Sequence, residues 1–275
     1  MQRLVGKVAL VTGAGRQGGL GAAIAMRLAA EGAAVVVSDL AASSDLPADR
    51  VGSEDGIGQV VAAITQGGGR AVAQALDVRD EPMVEAAISR AVKEFGRLDI
   101  LINNAGIGFM MEPLVEMPLA RWRTVLDVNL TGAFLCTQHA TRQMMQQGEG
   151  GRVINIASVA AKSGSVHLAA YAASKHGMIG LTRSAAIELG PHRITVNAVC
   201  PNHVTTGLGA VQNAYRASQR GQTIDEYLAE MRGRIPLGRV GLAEDTAKAC
   251  AFLCSEEAAY ITGEAMNVSG GQEMH

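Results

Sequence analysis

Short apolar runs rich in β-branched residues alternate with longer alanine-rich segments along the whole chain, and this rhythm restricts the fold more than any other feature. The runs are KVALVTG, AAVVVSD, AVAQALDV, LDILINNAG, GRVINIAS, ITVNAVCP and EAMNVSGG. Strands that are nearly all apolar must be covered on both faces, and helices placed between them favour parallel pairing through crossovers. The helical segments are GAAIAMRLAAEG, IGQVVAAITQGG, EPMVEAAISRAVKEFG, a stretch from about Leu119 to Gln147, and LAAYAASKHGMIGLTRSAAIELG. The sequence therefore predicts an α/β fold, a doubly wound parallel sheet of seven strands with helices on both faces. No linker breaks the rhythm, so residues 1 to 275 are expected to form a single domain.

Composition removes several function classes. Net charge is −2 and the 24 basic residues are scattered, so no footprint for nucleic acid or an anionic membrane is present. The apolar runs are too short to span a bilayer, and the N-terminus enters KVALVTG without a signal-peptide pattern, so a cytoplasmic protein is expected. Cys136, Cys200, Cys250 and Cys254 are spread too widely for a disulfide framework and read as core residues. The six histidines lack ligand spacing, and no metal site is expected.

The segment VTGAGRQGGLGAAIA reads as strand, glycine-rich turn and helix start, followed by a second strand ending at Asp39. Glycines let backbone N–H groups approach a pyrophosphate, which also gains from a helix N-terminus. An acid at Asp39 suits the adenosine ribose hydroxyls and repels a 2′-phosphate, so NAD is expected rather than NADP. Further on, YAASK places Tyr171 and Lys175 one helical turn apart on one face. A nearby ammonium favours phenolate, so Lys175 is expected to lower the Tyr171 pKa. A bare pair of this kind is also what a surface tyrosine beside a solvated lysine looks like.

Together these residues resemble the classical short-chain dehydrogenase/reductase family, over a span from about Lys7 to Gly271. The family's Rossmann-type T-G-x-x-x-G-x-G turn corresponds to Thr12, Gly13, Gly19 and Gly21, with two extra residues between the first and second glycines. The resemblance implies that Asp77 and Val78 hold the adenine, and that Asn104, Ala105 and Gly106 close the fourth strand beside the cofactor. Pro201, Val204 and Thr206 resemble the positions that contact the nicotinamide carboxamide and phosphates. Asn129, Ser158, Tyr171 and Lys175 match the catalytic tetrad. In that pattern Tyr171 is the general acid and base, Ser158 binds the substrate oxygen, Lys175 also binds the nicotinamide ribose, and Asn129 holds a relay water.

The implied activity is NAD-linked interconversion of a small-molecule secondary alcohol and its ketone, and the resemblance also implies a homotetramer. The alternatives are a 3-oxoacyl-thioester reductase, against which Asp39 argues, and a non-catalytic nucleotide sensor, against which the intact tetrad argues. Two connections are long for the fold: residues 40 to 56, read as surface decoration near the nucleotide, and residues 205 to 241, read as a substrate lid of one or two helices. Asn202 stands where the family has glycine, a change that asparagine's tolerance of positive φ would permit, and its amide is a candidate substrate contact. His167 and Phe109, with Met110 and Met111, are candidates for the substrate wall and read equally well as packing.

Overall fold

The computed structural model describes residues 2–40, 54–108, 111–204 and 206–275. Phe109, Met110 and most of the 40 to 56 connection lie outside the described residues, as does Thr205. The seven expected strands are all present: β1 (Val8–Val11), β2 (Ala34–Asp39), β3 (Arg70–Ala75), β4 (Ile100–Asn103), β5 (Gly151–Ile156), β6 (Ile194–Pro201) and β7 (Ala265–Val268). They form one parallel sheet in the order β3-β2-β1-β4-β5-β6-β7. The order reverses between β1 and β4, and the crevice beyond their C-terminal ends is where such sheets receive ligands.

Strand periodicity divides the core in two. Ala9 and Val11 of β1 point into one cluster with α1 (Leu20–Ala30), α2 (Glu54–Gln66) and α9 (Ala243–Cys254). Val8 and Leu10 point into the other, with α3 (Glu81–Phe95) and α5 (Gly132–Gln147). Each fully buried Leu or Ile in these layers contributes roughly 1.5–3 kcal/mol. The four cysteines are free and buried, as expected of core residues.

The stretch from Leu119 to Gln147 is α4 (Leu119–Leu126), a π turn over Asp127–Thr131, and α5 in continuation. One residue too many for α-helical spacing creates such a bulge, and bulges of this kind gather at functional sites. Helix α6 (Ala169–Leu189) carries the Tyr-Lys pair in its first turns. Two helices fill the predicted lid: α7 (Gly207–Gln219) and α8 (Ile224–Arg234). Thr223 opens α8 with a capping box, its Oγ1 accepting from Glu226 N while the Glu226 carboxylate accepts from Thr223 N at 2.8 Å.

Candidate active site

A cleft of about 420 Å3 runs along the C-terminal ends of the strands, from the glycine turn to the lid. The turn after β1 is tied down before any ligand arrives. Thr12 Oγ1 accepts from Asn104 N and Ala105 N, both at 3.0 Å, while Asn104 Nδ2 donates to Thr12 O and Gly13 O at 2.9 and 2.8 Å. Gly13 needs its positive φ of 66°, and a Cβ on Gly21 would stand 2.4 Å from Gly13 O. The two extra residues are absorbed ahead of α1: Gly19 N donates to Arg16 O at 3.0 Å, and Gly18 takes φ 69° in open space. Gly19 then caps α1 without a side-chain hydrogen bond, and no acid occupies the first turn. A helix N-terminus left so uncapped beside a cleft fits a phosphate.

At the end of β2, Asp39 lines the cleft, its carboxylate accepting from Gly15 N and Leu40 N, both at 2.8 Å. Asp77 and Val78 line the same end. Asp77 accepts from Arg79 N at 2.9 Å and is clamped by the Arg79 guanidinium, and the cap of α3 is Asp80, which accepts from Met83 N at 3.0 Å. Asn104, Ala105 and Gly106 also border the cleft, whereas Asn103 turns inward to Thr137 and Asn155 at 2.9 and 2.8 Å.

Ser158, Tyr171 and Lys175 meet on one wall of the cleft. Ser158 follows β5 and accepts from Ala160 N at 3.1 Å, and it hydrogen-bonds the Tyr171 phenol. Lys175 Nζ lies 5.7 Å from the Tyr171 ring centroid and donates to Ile156 O at 2.7 Å. The pKa expectation needs correction. Burial pushes the Tyr171 phenol above the ordinary tyrosine value, with the Ser158 hydrogen bond pulling the other way. Burial also lowers the Lys175 ammonium to about 8, and its nearest partner is the Ile156 carbonyl, so in the protein alone it does not offset the desolvation of the phenol.

Asn129 sits in the π turn, fully buried, and does not line the cleft. Its Oδ1 accepts from Ile107 N at 2.8 Å, and its Nδ2 donates to Ile107 O at 2.9 Å and Ser174 Oγ at 3.1 Å. Ser174 Oγ in turn donates to Tyr171 O at 2.7 Å. The side chain is thus spent on fixing the π turn against Ile107 and the Tyr-bearing helix.

At the end of β6 and just beyond it, Pro201, Asn202, Val204 and Thr206 line the cleft. Asn202 does not use positive φ, which among described non-glycine residues belongs to His167 and Arg193. β6 pairs with β7 through Pro201, and Asn202 N continues that edge by donating to Val268 O at 3.1 Å, so the chain here needs no glycine-like turn. Its amide is held by Gln272. His167 does not line the cleft: its Nδ1 is paired with Tyr215 Oη of the lid at 2.8 Å, and its neighbour Leu168 lines the cleft instead. Residues that the sequence reading missed are Ile107, His203, Arg216 and Gln272. Ile107 and His203 adjoin segments that the sequence reading did single out, whereas Arg216 and Gln272 reach the cleft only because lid and C-terminal tail pack onto the sheet, which no local motif reports.

The family described as Enoyl-(Acyl carrier protein) reductase matches residues 13–273. A short-chain dehydrogenase/reductase of Armillaria gallica is 41% identical over 266 residues, 97% of this chain and 95% of that protein. The chain belongs to the short-chain dehydrogenase/reductase family. Another relative, a 3-oxoacyl-[acyl-carrier-protein] reductase of Synechocystis sp., is 40% identical over 275 residues, 100% of both chains. The crystal structure of carveol dehydrogenase from Mycobacterium avium in complex with NAD superposes with a TM-score of 0.91 at 31% identity, covering 99% of each chain. This short-chain dehydrogenase/reductase is an oxidoreductase by family, and no helix among its described residues is long and apolar enough to cross a membrane.

Proposed function

We propose that the protein interconverts a small-molecule secondary alcohol and its ketone using NAD(H), with residues 1 to 275 acting as one dinucleotide-binding and catalytic domain and α7–α8 as its lid. The observation that carries this reading is the hydrogen-bonded Tyr171–Ser158 pair, with Lys175 one turn away, in a cleft that also contains the glycine turn and Asp39. The uncapped start of α1 suits the pyrophosphate, and Asp39 suits a ribose with two free hydroxyls. Bound NAD supplies the hydride acceptor, or the donor in the reverse direction.

The chain's own groups handle the proton. Tyr171 holds it at Oη, raised in pKa and therefore protonated at neutral pH, ready to give it to a ketone oxygen. Ser158 Oγ hydrogen-bonds the same oxygen and stabilises its developing charge. In oxidation the same two groups act in reverse. Lys175 anchors the nicotinamide ribose, and Asn129 positions Ile107 and α6 rather than touching substrate.

A 3-oxoacyl-thioester reductase is the second reading, favoured by the Synechocystis relative. Asp39 weighs against the NADPH that such an enzyme mostly uses. We also propose a cytoplasmic homotetramer, supported by Phe134 on α5 and Ile187 on α6, which are exposed apolar residues in the described chain. The deciding experiment screens NADH formation across polyols, hydroxysteroids, aryl carbinols and hydroxyacids, with Tyr171→Phe as control. Turnover that Tyr171→Phe abolishes supports the reading. Nucleotide binding without turnover in either direction overturns it in favour of a sensor.

A further inference from the structure

The lid end of the cleft holds a guanidinium that no described carboxylate neutralises. The other arginines lining this end of the cleft, Arg220 and Arg234, are paired with Glu230. Arg216, on α7, lines the cleft half-buried with no carboxylate in ion-pair range among the described residues. With the Gln212 amide turned so that its oxygen faces the guanidinium, that oxygen accepts from Arg216 Nε and Nη2 at 3.2 Å each. A neutral amide thus fixes one edge of the group and leaves its charge and its Nη1 donors uncommitted. Keeping a half-buried cation in this state costs free energy unless something else neutralises it.

Beside Arg216 lies His203, only 8% exposed and also lining the cleft. Asn213, 2% exposed, hydrogen-bonds that ring. Burial first, and the Arg216 charge in addition, keep the His203 imidazole below the ordinary histidine value, although Asn213 opposes the shift. The ring is therefore neutral near neutral pH, and its single N–H is committed to Asn213, so Arg216 is the donor that this end of the cleft leaves free. Glu273 is the acid lining this end, and it faces His275 at 3.2 Å. The Tyr215–His167 hydrogen bond tethers α7 to the segment leading into Tyr171, so Arg216, His203 and Tyr171 border one cavity.

We infer that the substrate carries a carboxylate besides its reacting alcohol or ketone, and that Arg216 receives it at the lid end of the cleft. The inference rests on the proposed alcohol–ketone reaction for the identity of the reacting group. The guanidinium edge that Gln212 leaves free matches the two oxygens of a carboxylate, and such charge-assisted bonds are the strong class. Turnover is not needed to read this subsite.

The test is calorimetric titration of the protein, with and without NADH, using cyclohexanecarboxylate, cyclohexanecarboxamide and cyclohexyl phosphate. The carboxylate is expected to bind about 10- to 100-fold more tightly than the amide. Arg216→Leu should remove that preference and Arg216→Lys should restore part of it, with circular dichroism checking that each variant folds. A parallel assay compares 3-hydroxycyclohexanecarboxylate with its methyl ester, where the acid should win through KM. Equal binding of acid and amide, a preference that survives Arg216→Leu, or tighter binding of the phosphate would each overturn the carboxylate inference. Carboxylate-selective binding with no oxidation of any alcohol would leave it standing and count against the proposed reaction instead.

Discussion

The side chain of Asn129 closes a two-way clamp on the main chain of Ile107, accepting its N–H at 2.8 Å and donating to its carbonyl at 2.9 Å. Both partners are buried, so Asn129→Ala would strand an N–H and a C=O that water cannot reach. We expect a stability loss of about 2–4 kcal/mol from the two orphaned groups, together with loss of activity. Urea unfolding checks the first and turnover the second. A variant that unfolds like the parent yet loses turnover would show that the clamp is dispensable and that Asn129 acts only in the chemistry.

The glycine turn makes a paired prediction. A Cβ at Gly21 would stand 2.4 Å from Gly13 O and 2.5 Å from Asn104 Nδ2, atoms fixed by the Thr12–Asn104 network. Gly21→Ala must therefore open the turn, and NAD affinity should fall more than tenfold. Gly18, within the two-residue extension, has nothing within 4 Å, so Gly18→Ala bears only left-handed strain of roughly 1–2 kcal/mol. Fluorescence titration with NADH separates the two. Equal losses would mean that the extension itself shapes the pyrophosphate site.

The sheet, and the placing of most candidate residues along one cleft, could be read directly from the sequence because their signals are local. Apolar runs such as KVALVTG must be covered on both faces wherever they occur, and Tyr171 and Lys175 share a helix face by spacing alone. The extra residues in the turn were visible too, although their absorption as an Arg16–Gly19 turn was not. What stayed hidden depends on tertiary packing. The rise in the Tyr171 pKa follows from burial, which no spacing reports, and His167 is turned away by a lid helix far along the chain. Asn202 was read through a glycine motif whose turn this chain does not use, because its backbone continues the β6–β7 edge.

Asp39 makes the cofactor preference testable. Its carboxylate is oriented by Gly15 N and Leu40 N and borders the cleft where the adenosine ribose is proposed to lie. A 2′-phosphate there would meet a fixed negative charge, and a unit pair at ~4 Å is worth several kcal/mol at an effective dielectric near ~20. Asp39→Ser should therefore raise the NADP-to-NAD ratio of kcat/KM by about a hundredfold, read from steady-state kinetics with both nucleotides. An unchanged ratio would mean that selectivity is set elsewhere.

Lys175 should trade stability for function. Only 4% exposed, it is held by burial at a pKa of about 8, below the ~10.4 of an unfolded lysine. Below the folded value the ammonium is charged in both states and the folded state carries the full desolvation cost. Between the two values the unfolded chain binds the extra proton, so the cost shrinks as pH rises and vanishes above the unfolded value. The shift corresponds to roughly 3 kcal/mol, offset in part by the hydrogen bond to Ile156 O. Lys175→Met should therefore be inactive yet more stable than the parent by about 1–3 kcal/mol near neutral pH, with the advantage fading as pH climbs toward ~10. Urea midpoints at the two pH values measure it. A destabilised variant, or an advantage independent of pH, would mean that the buried ammonium is stabilised by its surroundings and not merely tolerated for catalysis.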